Sequence, residues 1–285
     1  MIARGGEPRL VISPAPALVC PADHHLQFPA MQIEGTAAIV SGGASGLGEA
    51  TVRHLVQKGA FCTILDRNDV LGQALADDLG GSASFVRGDV SNEDQVGEAV
   101  ALAAQAGPLR IAISCAGIGA ATRVLSRDGA PHDLSTFERV IRVNVIGTFN
   151  MIRLSASAIA RTQPLENNER GVIVNTASIA AFEGQIGQIA YSASKGGVVG
   201  MTLPAARDLA TVGIRVLTIA PGIMDTPLLG QLPQEARDAL GAGVPFPRRM
   251  GLPDDFAALA CHMCENGYLN GEVVRLDGAL RMPPR

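Results

Sequence analysis

A glycine-rich turn held between an apolar run and a helical pattern limits this chain to few folds. Thr36-Ala37-Ala38-Ile39-Val40 stops at Ser41-Gly42-Gly43-Ala44-Ser45-Gly46-Leu47-Gly48. Apolar Ala50, Val52, Leu55 and Val56 follow at helical spacing, with Glu49, Arg53, Gln57 and Lys58 between them. Strand, glycine turn and helix in that order give an otherwise weak motif its meaning, because a dinucleotide pyrophosphate uses all three. Gly42 can take the tight turn, Gly46 can let the pyrophosphate approach the backbone, and Gly48 can let helix and strand pack closely. The helix start then aims unpaired N–H groups at the anion.

The following units repeat the alternation. Phe61-Cys62-Thr63-Ile64-Leu65 ends at Asp66, where a carboxylate can accept both hydroxyls of an adenosine ribose and repel a 2′-phosphate. That favours NAD over NADP, with Arg67 the feature that speaks against it. A helix over Val70–Leu79, a strand over Ala83–Arg87, a helix over Glu93–Ala106 and a strand over Leu109–Ile113 come next. Asp89 and Val90 lie just past one strand end, and Asp89 can cap a loop or, our preferred reading, hydrogen-bond an adenine. Ser114-Cys115-Ala116-Gly117 lies past another; Cys115 reads as a small loop residue, since no His lies near it in sequence. Later strands are expected at Val172–Val174, Ile214–Ile219 and Glu272–Leu276. Such alternation implies a single α/β domain, a Rossmann-type doubly wound parallel sheet of about seven strands with helices on both faces.

Composition narrows the function classes. The 285 residues suffice for one large α/β domain, and the 47% hydrophobic content suits a compact core. A net charge of −4 without a basic run gives no case for nucleic acid, and no run reaches the ~18 apolar residues of a membrane helix. Five cysteines do not make a disulfide framework. Cys261-His262-Met263-Cys264 lacks a second pair to complete a zinc site and sits in an apolar helical pattern, so it reads as packing and no metal is expected. A reducing compartment follows, cytoplasmic or, in a eukaryote, the mitochondrial matrix. Residues 1–30 hold five prolines and no period, and read as a poorly ordered extension before a domain spanning 31–285.

The chemistry is concentrated between Gly171 and Gly200. Val172-Ile173-Val174 leads to Ser178, and Tyr191 and Lys195 follow four apart among small residues. On a helix that spacing puts phenol and ammonium on one face. A hydroxyl, a phenol and an amine at the carboxyl edge of a parallel sheet form a proton-transfer site beside a cofactor. Before them, Ala120–Asp133 is a polar loop on the substrate side or at an interface, with His132 solvated. Thr136–Arg161 reads as one long helix, with Asn144 at its middle either exposed or buried to bind water. Pro- and Gly-rich residues 223–250 read as a substrate lid.

Ser41-Gly42-x3-Gly46-x-Gly48, Asn144, Ser178, Tyr191-x3-Lys195 and Pro221-Gly222, in this order, resemble the short-chain dehydrogenase/reductases over about Met31–Met282. Within them, Ala181–Ala210, Val244–Gly251 and Leu269–Met282 look like the type 2 3-hydroxyacyl-CoA dehydrogenases. Ser114, where the family usually has Asn, and Asn270, where many members have Thr, are departures. The resemblance implies Tyr191 as acid/base, Lys195 lowering its pKa and holding the nicotinamide ribose, Ser178 orienting the substrate oxygen, and Asn144 holding a relay water. It implies NAD contacts from Ser41, Gly42, Ser45, Gly46, Leu47, Gly48, Asp66, Asp89, Val90, Cys115, Ala116, Gly117, Tyr191, Lys195, Pro221, Gly222, Ile223 and Thr226. Gln185 would join Ser178 and Tyr191 on the substrate side. The substrate implied is a short or branched 3-hydroxyacyl-CoA, with 3-oxoacyl-carrier-protein reduction or hydroxysteroid oxidation as alternatives. With that resemblance as guide, the apolar surface of the helices around 136–161 and 191–209 implies a homotetramer.

Overall fold

The computed structural model describes residues 31–227, 229–230 and 233–284; the extension expected at 1–30 lies outside the described residues. Seven parallel strands form one sheet: β1 (Ala37–Ser41), β2 (Phe61–Asp66), β3 (Ala83–Arg87), β4 (Leu109–Ser114), β5 (Gly171–Thr176), β6 (Ile214–Pro221) and β7 (Val273–Leu276). Their order is β3-β2-β1-β4-β5-β6-β7. Strands β1, β4, β5 and β6 are buried at every position, as expected for apolar runs covered on both faces.

One face is covered by α1 (Gly46–Gln57), α2 (Asp69–Leu79) and α8 (Pro253–Glu265), which bury Val52, Leu55, Leu75 and Phe256 against Val40, Ile64, Ile113 and Val174. The other face holds α3 (Glu93–Gln105), α5 (Gly147–Ile159) and α6 (Ile189–Ala210), packed on Ile39, Ala112, Ile173 and Val216. Two of the helices between strands start at a side chain that accepts the first free N–H groups. Asn68 caps α2 and Asn92 caps α3, each through Oδ1.

The long helix expected over Thr136–Arg161 is three pieces. α4 (Leu134–Ile141), capped by Asp133, passes into a π-helical turn (Arg142–Ile146) and then α5. A π turn adds one residue to the ring closed by each hydrogen bond, so it shifts side-chain phase without ending the helix. Here it buries Asn144. Gly147 just beyond lies so close to Val90 that a Cβ there would stand 2.5 Å from a Val90 methyl. In the segment expected to form a lid, α7 (Gln234–Ala242) is the helical piece among the described residues, and Arg237 grips Asp225 through both carboxylate oxygens (2.6 and 2.8 Å).

Candidate active site

Between β1 and β4 the strand order reverses, and a crevice opens there at the carboxyl ends of the strands. It is a cavity of about 870 Å³, running from Asp66 and Arg67 past the glycine turn to Ser178, Tyr191 and the lid. The glycine turn is built as its spacing predicts. Gly42 has φ +65°, and a Cβ on it would stand 2.6 Å from the Ala116 amide nitrogen. A Cβ on Gly48 would fall 2.0 Å from the Gly42 carbonyl oxygen. The first glycine therefore lets the β1 and β4 loops touch, and the third lets α1 pack against the turn. Ser45, Gly46, Leu47 and Gly48 line the crevice beside the start of α1.

At the far end, Asp66 Oδ2 accepts from the Ala44 N–H (3.1 Å) and Oδ1 from the Asn68 N–H (2.9 Å), which fixes the carboxylate beside the turn. Asp89 lines the crevice and caps its own loop through one carboxylate oxygen. Its Oδ1 accepts from both the Ser91 N–H (2.9 Å) and the Ser91 hydroxyl (2.8 Å). Its Oδ2 lies 3.7 Å from Arg67 Nε. Val90, Cys115, Ala116 and Gly117 complete this wall, and Pro221, Gly222, Ile223 and Thr226 form the opposite one.

Ser41 does not reach the crevice. It follows Ala37 and Ile39 in the strand alternation and is 1% exposed, on the α3/α5 face of the sheet. Its register partner on β4 is Ser114, whose own partner on β5 is Asn175, and all three have buried polar atoms without a protein partner. Ser114, where the family usually has Asn, thus sits in a buried polar row.

The proton-transfer groups converge. Ser178 follows β5, with its Oγ accepting from the Ala180 N–H (3.1 Å). Tyr191 and Lys195 lie one turn apart on α6, with Lys195 Nζ 5.7 Å from the centre of the Tyr191 ring. Lys195 is buried and donates to the Thr176 carbonyl at the end of β5 (2.8 Å). Burial lowers its pKa to about 8. The same burial raises the Tyr191 phenol above its ordinary value, with the Ser178 hydroxyl pulling the other way. Desolvation outweighs that hydrogen bond. Cys115 is pushed up to about 11, mainly by burial, so it is a thiol and no nucleophile at neutral pH.

Asn144 lies behind this site rather than in it. Its Oδ1 accepts from the Ile118 N–H (2.8 Å), while Nδ2 donates to the Ile118 carbonyl (2.9 Å) and the Ser194 hydroxyl (2.9 Å). Ser194 Oγ donates in turn to the Tyr191 carbonyl (2.7 Å). The side chain thus ties the loop after β4 to the helix that carries Tyr191 and Lys195. A Cβ on Gly117 would stand 3.3 Å from Asn144 Oδ1 and 3.4 Å from Lys195 Nζ, so both side chains lie against that glycine. The cavity walls also include Gln185, as expected, and Thr176, Leu240 and Met282, which the sequence reading missed. Met282 lay in a Pro-rich tail with no periodicity to place it.

A family model described as short chain dehydrogenase matches residues 36–237. The chain is a short-chain dehydrogenase. It is 52% identical over 254 residues to the 3-hydroxyacyl-CoA dehydrogenase type-2 of Bos taurus, covering 88% of this chain and 97% of that one. The protein of the same name from Drosophila melanogaster is 48% identical over 254 residues, 88% of this chain and all of that one. A crystal structure titled 3-hydroxyacyl-CoA dehydrogenase type-2 from Mycobacterium avium superposes with a TM-score of 0.86 at 50% identity, covering 90% of this chain and 100% of that one. As a short-chain dehydrogenase the chain is an oxidoreductase, with the Rossmann-type sheet that its alternation predicts. Among the described residues, no cluster of His, Cys, Asp and Glu is placed to hold a metal, and no helix is long and apolar enough to cross a membrane.

Proposed function

We propose that the chain reversibly oxidises the hydroxyl of a 3-hydroxyacyl-CoA to the 3-oxo ester, with NAD as cofactor. The observation that carries this reading is one continuous cleft with a fixed carboxylate, Asp66, at one end and Ser178, Tyr191 and Lys195 at the other. The names of the relatives supply the substrate class. The cleft fits a dinucleotide: α1 opens on it, two glycines admit backbone where a Cβ would collide, and Asp66 suits an unphosphorylated ribose.

Bound NAD supplies the hydride acceptor; the protein supplies position and proton transfer. Ser178 holds the substrate oxygen by hydrogen bond, and Tyr191 removes its proton. The Lys195 ammonium favours the phenolate, most effectively in a cleft from which water has been excluded. Lys195 is held from behind by the Thr176 carbonyl, which leaves its remaining N–H groups to a ribose and a relay water. Both amide hydrogens of Asn144 are engaged, so a water in that relay would be held by acceptor atoms there. The described cysteines are free thiols, which supports a reducing compartment, the cytoplasm or the mitochondrial matrix.

Steady-state rates with 3-hydroxyacyl-CoA esters, a hydroxysteroid and a 3-oxoacyl carrier protein, each with NAD(H) and NADP(H), test the reading. The highest kcat/KM is expected for the CoA esters with NAD; a preference for NADP would count against Asp66 as a ribose ligand. Tyr191→Phe is expected to lower kcat by about 10²–10⁴ while NADH binding persists. Turnover near that of the parent enzyme would remove Tyr191 from the mechanism.

A further inference from the structure

The end of the chain closes the substrate side of the cleft, and the reaction above does not use it. After β7, Gly278 and Ala279 adopt left-handed backbone (φ +58° and +66°). Asp277 Oδ1 secures this turn by accepting from the Ala279 N–H (3.0 Å). Leu280 is then buried with Ile179 and Val244, and Met282 packs against the same group. Ile179 follows Ser178 directly and Val244 lies in the lid, so this cluster joins tail, catalytic segment and lid.

Four charged side chains tie the tail to the loop that leads into α6. Arg275 Nη1 and Nη2 donate to the two oxygens of Glu183, each at 3.0 Å, in a bidentate pair. Its Nε donates to Asp277 Oδ2 (2.7 Å), and its guanidinium lies 5.4 Å from the Phe182 ring centre. Arg281 reaches the same two carboxylates, 3.3 Å from Glu183 and 3.1 Å from Asp277. Backbone contacts follow these charges. The Met282 N–H donates to Glu183 (3.3 Å), Gln185 Nε2 to the Pro283 carbonyl (3.1 Å), and the Ile186 N–H to the Pro284 carbonyl (3.0 Å). A lone exposed ion pair contributes little. Here the partners are shared, and the Asp277 side chain is 7% exposed, so the network fixes one geometry for loop and tail. Gln185 and Met282 stand in the cavity wall as its two inward products.

We propose that this tail sets the acyl-chain selectivity of the enzyme. Met282 is the apolar wall that the acyl chain meets, and the Glu183–Arg275 pair holds that wall at a fixed distance from Gln185. Selectivity then depends on the volume of one side chain in an apolar wall, the kind of discrimination that single methylenes provide. In its choice of substrate this rests on the hydroxyacyl-CoA reading.

The test is kcat/KM over straight-chain 3-hydroxyacyl-CoA esters of increasing length, with saturating NAD. Met282→Ala is expected to raise the long-to-short ratio about tenfold, and Met282→Phe to lower it by a similar factor. Glu183→Gln is expected to raise KM for the esters, with the NADH dissociation constant unchanged and with Glu183→Asp recovering part of the loss. An unchanged chain-length ratio in both Met282 variants overturns the proposal. So does a Glu183→Gln enzyme that loses ester and NADH affinity in parallel, the mark of general loosening. The parent enzyme's rates test the substrate reading separately. Should it prefer other secondary alcohols, the same ratio is read on a straight-chain series of those.

Discussion

At the level of single residues, burial sets the character of the Tyr191–Lys195 pair. Lys195 titrates near 8 instead of its ordinary 10.5 because the fold desolvates its ammonium. Between those two values the unfolded chain binds the proton and the folded chain does not, so stability rises with pH across that window. Below it both states carry the charge, and the buried ammonium is a cost to folding. Lys195→Met is expected to flatten this stretch of the pH–stability curve, measured by urea unfolding from pH 8 to 10.5. A slope unaffected by the substitution would contradict burial as the cause. That Gly42, Gly48, Asp66, Ser178, Tyr191 and Lys195 share one cleft was legible from residue type and spacing. Ser41 and Asp89 differ from the others in what the fold does with their side chains. Strand alternation turns Ser41 away from the cleft, whereas Asp89 lines it and gives one carboxylate oxygen to Ser91, two residues on.

Among the elements, the π-helical turn is the device that sequence could not announce. Phe137, Val140, Val143, Ile146, Phe149 and Ile152 keep a nearly unbroken helical period through it, since one extra residue changes phase without interrupting the apolar face. Its effect is to bury Asn144 where both Ile118 and Ser194 can reach it. Removing this amide leaves the Ile118 N–H and carbonyl without their partner, at a cost of about 1–3 kcal/mol. Asn144→Ala is accordingly expected to lower stability by that amount. Hydrogen exchange should report the Ile118 amide opening faster, with the amides of β5 unchanged as the control. Protection of Ile118 equal to that in the parent protein would sink this assignment.

For the whole molecule, strand count and parallel sense were legible from the alternation of apolar runs with helical patterns. The tail was not, because its anchor joins Arg275 to Glu183 across 92 positions, and isolated charges carry no periodicity. Outer surface remains to be covered. Leu134, Ile146, Phe149 and Ile189 are all more than 40% exposed on the α4–α5 segment and the start of α6, more apolar surface than a lone subunit leaves open without use. We expect these helices to pack against a second copy in a homotetramer. Sedimentation equilibrium is expected to give the tetramer mass, and Phe149→Glu to shift it to smaller species; a monomeric parent protein would refute the assignment.

The central position of β1 has a temporal consequence. The first strand among the described residues is flanked by β2 and β4, and its pairing with β4 is not complete until residue 114 has emerged. Parallel pairing at such separations is intrinsically slow. Gly42 and Ala116, the two lips of the cleft, come from those two strands. A nascent chain that holds β1 to β3 alone therefore carries a complete glycine turn and only half of its binding surface. The cleft closes on both sides only once β4 has joined the sheet.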